Sequence, residues 1–201
     1  MDTTFIICPI LSFLGIATLA ILLVIAYTMR SKREQETAWK ILASRTGLTY
    51  EPGAFIKRPY LVGEFQNIPT RIDIHFHTTG FKSSSSSFPY TCLRVALQNH
   101  HNMSFSIKEK HRMSLFAKAG APIRDPEVDA RFSIRSEPPW LASELFGYTN
   151  LCQSFLSARS FELQLAGDEL CFEEPGIDKD VDYLIWLLHL LCEVATFIEN
   201  R

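Results

Sequence analysis

Apolar positions along this 201-residue chain follow three different patterns. The first is a solid block, FIICPILSFLGIATLAILLVIAYTM, which opens at Phe5, closes at Met29 and contains no charged residue. From Leu48 onward, apolar and polar residues alternate with a period of two, the pattern of strands that bury one face. In the last third, clusters at helical spacing return and end in VDYLIWLLHLLCEVATFIE.

About 20 apolar residues suffice to cross a bilayer, and an unpaired segment in hydrocarbon must be helical, so the run 5–29 predicts a transmembrane helix. Pro9 falls in its first turns, where a missing N–H costs little. A cleaved signal peptide fits less well. Asp2 is the one charged side chain ahead of the run, the apolar core is long, and no A-x-A-like site precedes the basic cluster. Cys8 opens the run instead of closing it, which makes it a poor lipoprotein cysteine. Arg30, Lys32 and Arg33 follow at once, and such residues stay on the cytoplasmic side. The expected protein is therefore a single-pass inner-membrane protein, N-terminus outside and remainder cytoplasmic. Its first partner is the bilayer, with Arg30, Lys32 and Arg33 as candidate head-group contacts.

Residues 34–46 read as a helix leaving the membrane, stopped by Gly47, with Trp39, Ala43 and Gly47 on a shared face that docks on the domain. Strands are predicted over 60–66 and 70–78, joined by a turn at Asn67, Ile68 and Pro69. In the second of these, Ile72, Ile74 and Phe76 face one way; Arg71, Asp73, His75 and His77 face the other. Residues 79–89 contain Gly80 and five consecutive serines and read as a flexible loop. Further strands are predicted over 90–98, 103–108 and 130–136, and residues 108–120 receive no assignment. A helix over 140–158, a hairpin around Gly167 and Asp168, and a last helix capped by Asp178 complete the chain. A second membrane span is the competing reading of that last helix. Its uninterrupted apolar core, 183–188, is too short, and His189 and Glu193 interrupt it, so a buried core or interface helix is expected.

The fold class is thus α+β: a transmembrane helix, then an antiparallel, mostly-β sheet packed by two helices from the C-terminal half. The organisation is an anchor with its basic flank (1–33), a linker helix (34–47) and a cytoplasmic domain (48–201) that holds the serine-rich loop. Composition narrows the role. All 20 Lys and Arg lie beyond the anchor against 21 of the 22 acids, which argues against nucleic acid as a partner. Five cysteines (Cys8, Cys92, Cys152, Cys171, Cys192) show no C-x-x-C spacing and are expected as free thiols.

The residues Trp39-x3-Ala43-x3-Gly47-Leu48-x-Tyr50, Gly63-Glu64-Phe65, Asp129-x-x-Phe132-x-Ile134-x-Ser136 and Phe197-Ile198-Glu199 carry a resemblance. They resemble an uncharacterised bacterial family of single-pass membrane proteins with an N-terminal anchor and a cytoplasmic α+β domain. The likeness spans nearly the whole chain and implies no activity, so it carries over no catalytic role. The chain departs from the pattern in its serine loop and at Val128, where an aromatic is expected.

Candidate chemistry is sparse. Asp73, His75 and His77 share a strand face, and imidazole with carboxylate suits zinc or iron. A solvated face is the simpler reading of that trio, with His100, His101 and His111 further along and no third ligand placed. His189 on an apolar helix reads as a core or interface histidine. There is no G-x-S-x-G, no P-loop and no G-x-G-x-x-G. The late acids Asp168, Glu169, Glu173, Glu174, Asp178, Asp180 and Asp182 fall on a hairpin and a helix start, where structure accounts for them. Lys108, Lys110, His111, Arg112 and Lys118, interleaved with Met113, Leu115 and Phe116, form a candidate lipid-contacting stretch. The expected function is a membrane-anchored, non-catalytic interaction domain without cofactor, whose partner is an unknown protein or a second copy, recognised near residues 80–89. An inner-leaflet lipid-contacting module is the alternative, followed by a metalloprotein or enzyme using His75 and His77.

Overall fold

The structure, a computed structural model, describes residues 4–54, 57–79, 86–110, 123, 125–147 and 149–201, and their side chains except those of 4–17, 79 and 149. It begins with one long helix, α1 (Thr4–Thr46). The stretch expected as a separate linker helix is the last third of α1. No Gly or Pro falls between Gly15 and Gly47 to interrupt it, and the pairs Arg30–Glu34 (2.9 Å) and Glu36–Lys40 (2.7 Å) brace the intervening turns. Gly47 ends the helix at φ +79°, its N–H donating to the Ala43 carbonyl at 3.0 Å.

Eight strands follow: β1 (Thr49–Glu51), β2 (Tyr60–Phe65), β3 (Ile68–Thr79), β4 (Ser86–Ala96), β5 (Ser104–Glu109), β6 (Phe132–Glu137), β7 (Glu162–Ala166) and β8 (Glu169–Pro175). They form one sheet in the order β1-β2-β3-β4-β8-β7-β5-β6, with all neighbouring strands antiparallel. The β2–β3 turn is Gln66–Asn67, both at positive φ (54° and 64°), and not the predicted Asn67–Ile68–Pro69. Two consecutive left-handed residues match the strand twist, and Pro69 lies inside β3 opposite Glu64. The predicted loop is also shorter on its far side. Ser86, Ser87, Phe88 and Pro89 belong to β4 and pair with β3, while Gly80 and Ser85 lie outside the described residues.

Five helices are described. The short α2 (Pro126–Arg131) takes Ala130 and Arg131 from the strand predicted over 130–136; Asp125 caps it by accepting from the Glu127 and Val128 amides at 3.0 Å, with Pro126 in the first turn. The helix predicted over 140–158 is two, α3 (Pro139–Gly147) and α4 (Thr149–Ser157). Gly147, a poor helix former, ends the first. The last helix, α5 (Val181–Glu199), is capped by Asp180 and not Asp178: the Asp180 carboxylate accepts from the Tyr183 amide at 3.2 Å.

One hydrophobic core joins these elements. Leu61, Ile72, Leu93, Phe105, Leu163 and Phe172 from one sheet face meet Leu184, Leu187, Leu188 and Leu191 of α5 and Phe155 of α4. Trp39 and Leu42 of α1 belong to the same cluster, and the Trp39 indole donates to the Asp178 carbonyl at 3.0 Å. Each such side chain contributes about 1.5–3 kcal/mol on burial, which is why this face is the one the helices cover.

Candidate functional site

The opposite face of the sheet centre carries the chemistry. Asp73 of β3 lies opposite Cys92 of β4, and Cys92 lies opposite Glu173 of β8; Arg94 lies opposite Arg71 on one side and Cys171 on the other. Directly opposed residues on antiparallel strands share a face, so three strands project one polar group.

Arg94 organises it. Its Nη1 donates to Asp73 Oδ2 at 2.8 Å, where Arg71 Nε donates from the other side at 2.9 Å. Its Nη2 donates to His75 Nε2 at 2.6 Å, which leaves the ring proton for Nδ1, 3.5 Å from Glu173 Oε1. Its Nε lies 3.4 Å from Glu169. Burial opposes the Arg94 charge, but the Asp73 carboxylate beside it, by charge and hydrogen bond, helps hold its proton on firmly. Asp73 is itself buried, and its Oδ1 has no hydrogen-bond partner, lying 3.5 Å from His75 Nε2.

Beneath this group lie two thiols that the sequence spacing concealed. Cys92, fully buried, and Cys171, half-buried, have Sγ atoms 3.1 Å apart. The contact divides their acidities. Cys171 is held below the usual thiol range by the hydrogen bond from Cys92, helped by the Arg94 charge; Cys92 is driven above it by the same contact and by burial. Of the pair, Cys171 is therefore the more acidic thiol. No local motif in the sequence marks them, because their proximity arises from β4 and β8 pairing across 79 residues.

Of the predicted trio, the structure brings Asp73 and His75 into this group and sends His77 elsewhere. His77 Nε2 bonds Glu173 Oε2 at 2.8 Å, and its ring packs on Tyr90 with centroids 4.3 Å apart. His100 and His101 are exposed in the β4–β5 turn, apart from the cluster, and His111 lies outside the described residues. His189 is not in the core: it is exposed, bonded to Gln66 at 3.0 Å and edge-on to Phe65. The apolar face of α5 turns Leu188 and Leu190 inward on either side of it.

The candidate lipid contacts fall in separate places. Arg30 pairs with Glu34, which also receives Lys179 at 3.2 Å, and Lys32 and Arg33 are exposed on α1. Lys108 pairs with Glu162, and Lys110 donates to the Asp129 carbonyl. Arg112 and Lys118 lie outside the described residues.

A second polar pocket lies at the foot of α5, a cleft of about 330 Å³ lined by Arg159, Ser160, Glu174, Gly176, Ile177 and Asp178. Glu174 is buried there, and its carboxyl is pushed up to about 8, first by burial and then by hydrogen bonding to Asp178. Arg159, on the wall of the same pocket, pairs with both Asp178 (2.7 Å) and Asp180 (2.8 Å).

No family model matches the chain, and no curated protein does. Among solved structures it is similar to the crystal structure of the mycobacterial trehalose monomycolate transport factor A, TtfA. That likeness has a TM-score of 0.50 and 12% identity, over 79% of this chain and 95% of that one. Similarity at this identity concerns the fold, and it covers the α+β architecture described above.

Proposed function

We propose that this chain is a single-pass membrane protein whose α+β domain is a non-catalytic interaction module held close to the cytoplasmic leaflet. One observation carries the reading: α1 changes environment along a single uninterrupted helix. Leu19, Ile21, Leu22, Leu23, Val24, Ile25 and Met29 are exposed, with Leu22 at 63%, whereas about three turns beyond Met29 Trp39 and Leu42 are fully buried in the domain. An exposed row of that kind costs about 25 cal/mol per Å² in water and none in hydrocarbon. The helix thereby joins domain and bilayer rigidly, and Arg30, Lys32 and Arg33 mark where it leaves the apolar layer.

The interaction surface is the projecting β3–β4 arm. β2 pairs with β3 no further than Ile72, and beyond Thr91 the contact of β4 with the end of β8 continues only through Gly176, whose amide donates to the Pro89 carbonyl at 2.8 Å, so the backbones of 76–79 and 86–88 depend mainly on each other. The arm exposes Phe76 and Phe88. A two-stranded ribbon is marginally stable alone, and a partner protein or a second copy that adds apolar contact would stabilise it. The fold it shares with a protein described as a transport factor supports an accessory role.

Two measurements test this. Alkaline carbonate should leave the chain in the membrane pellet, and a C-terminal reporter should be active only in the cytoplasm; release, or an exterior signal, would refute the anchor. A photocrosslinker at Phe88 in native membranes should yield a discrete adduct that one placed at Ser143, exposed on α3, does not. Identical patterns would refute the arm as the surface.

A second reading, lipid contact, is favoured by a groove of about 860 Å³ along α1 between Ala26 and Ile41, lined by Arg30, Arg33 and Lys179 together with Met29, Ile41 and Val181. Lys179→Ala with Arg33→Ala should weaken the protein's preference for anionic over neutral vesicles; an unchanged preference would reject it.

A further inference from the structure

The outer face of the β3–β4–β8 junction holds a ligand set that the proposed role leaves unused. Two groups of three side chains each place one ligand atom within 4.8 Å of the others: Asp73, His75 and Cys92 in one, Cys92, Cys171 and Glu173 in the other. We propose that this is a binding site for a thiophilic divalent cation of the zinc type, with Cys92 and Cys171 as thiolate ligands, His75 as imidazole ligand and Asp73 as carboxylate ligand.

Cys92 belongs to both groups, and together they offer the sulfur, nitrogen and carboxylate donors such ions take in tetrahedral sets of four; seating one ion draws Cys171 toward the Asp73–His75 side around Cys92. Sulfurs about 2.3 Å from a tetrahedral ion stand roughly 3.8 Å apart, so a pair at 3.1 Å opens by well under an ångström. Asp73 Oδ1 supplies an independent observation. It is a buried oxygen without a partner, on the His75 side of its carboxylate. Buried acceptors are nearly always satisfied, and a cation there would satisfy this one. Glu173, 3.5 Å from His75 Nδ1, is placed to accept from the other ring N–H and hold the imidazole in its ligating orientation.

Arg94 shows that the site already suits positive charge, because its guanidinium bonds both Asp73 and His75. A metal ion takes over those two ligands, and Glu169, already 3.4 Å from Arg94 Nε and on the exposed rim, receives the displaced side chain. Access is through the exposed edge of His75, whose side chain is 42% exposed. This inference is independent of the membrane reading, since retention of an ion by the protein does not depend on where the chain resides.

Full-length protein, purified reduced in detergent, loaded with zinc ion alone and desalted, should retain it stoichiometrically by elemental analysis. Cobalt(II) alone should produce a thiolate-to-metal absorption band that zinc abolishes. Cys171→Ser and His75→Gln should each lower zinc affinity by about tenfold or more, whereas His77→Gln and His189→Gln should match the parent. Both ligand positions are partly exposed, so the metal-free variants should melt with the parent; if Cys171→Ser does not fold, His75→Gln decides. Zinc lost on desalting, unchanged affinity in His75→Gln, or a Cys92–Cys171 disulfide in protein alkylated at lysis would each overturn the site.

Discussion

Two long apolar helices, α1 and α5, meet at opposite ends of the chain, and composition barely separates them. By length and hydropathy α5 is apolar enough to cross a membrane, yet Leu184, Leu187, Leu188, Leu191, Val194 and Ala195 are all fully buried inside the domain. In α1, by contrast, the apolar residues between Leu19 and Met29 face outward, and burial begins at Gln35 and is complete at Trp39. The contrast teaches that a helix's fate depends on whether other elements supply an apolar surface. The sheet offers α5 the face of Leu93, Phe172 and their neighbours, whereas among the described residues it covers none of the apolar side chains from Leu19 to Met29.

Placing a charge on each helix should separate the two environments most widely. Leu188→Asp buries an unpaired carboxylate and should cost more than about 4 kcal/mol, enough to prevent folding. Leu22→Asp should leave domain stability within about 0.5 kcal/mol of the parent but raise the cost of membrane insertion by about 2.5–3.5 kcal/mol. Circular dichroism on detergent-purified protein, together with membrane fractionation, checks both. If Leu22→Asp unfolds the domain, the contrast fails.

Trp39 is where the two environments join. Trp39→Ala removes a fully buried indole and its hydrogen bond to Asp178, and should cost about 3–5 kcal/mol in denaturant titration while leaving membrane association intact. Glu174 sharpens the contrast through pH. Its folded value of about 8 lies above the ordinary 4.5, so the folded state binds the extra proton. Its contribution is then complete below about 4.5 and lost as pH rises through about 8. Melting temperature should fall across that window by an amount corresponding to on the order of a few kcal/mol, and Glu174→Gln should flatten the dependence. An unchanged slope would show that Glu174, among Asp178, Tyr183 and Arg159, does not govern the seat of α5.

Smaller effects follow at the helix ends. Asp180→Ala removes the α5 cap and should cost about 1 kcal/mol. Arg45→Ala breaks an exposed bridge to Asp182 between the two helices and should change stability by a few tenths of a kcal/mol, near the limit of measurement.

Much of the architecture was legible because it rests on local pattern. Alternation placed β3 and β4 within a few residues, Gly167–Asp168 announced the last hairpin, and the aliphatic run announced α5. What escaped depended on distant partners or on short segments. The turn Gln66–Asn67 was displaced by one residue because Pro69 read as turn chemistry, although an edge of β3 accommodates it. Helix α2 is under two turns, too short for periodicity, although Asp125 followed by Pro126 is a helix-start signature. Half the outer-face cluster was visible: Asp73 and His75 sit two apart on one strand. Cys92 and Cys171 were not, since no spacing rule links residues on separately folded hairpins.

The sequence by itself determined the apolar block, its basic flank, the antiparallel strands and the closing helix, because each follows from side-chain periodicity and backbone preference over a few turns or pairs. Only the tertiary structure decided which apolar helix is enclosed, which histidine leaves the cluster, and that two thiols far apart in the chain touch. Those outcomes depend on strand order, and strand order is set by the summed burial of a whole sheet face, which no local window contains.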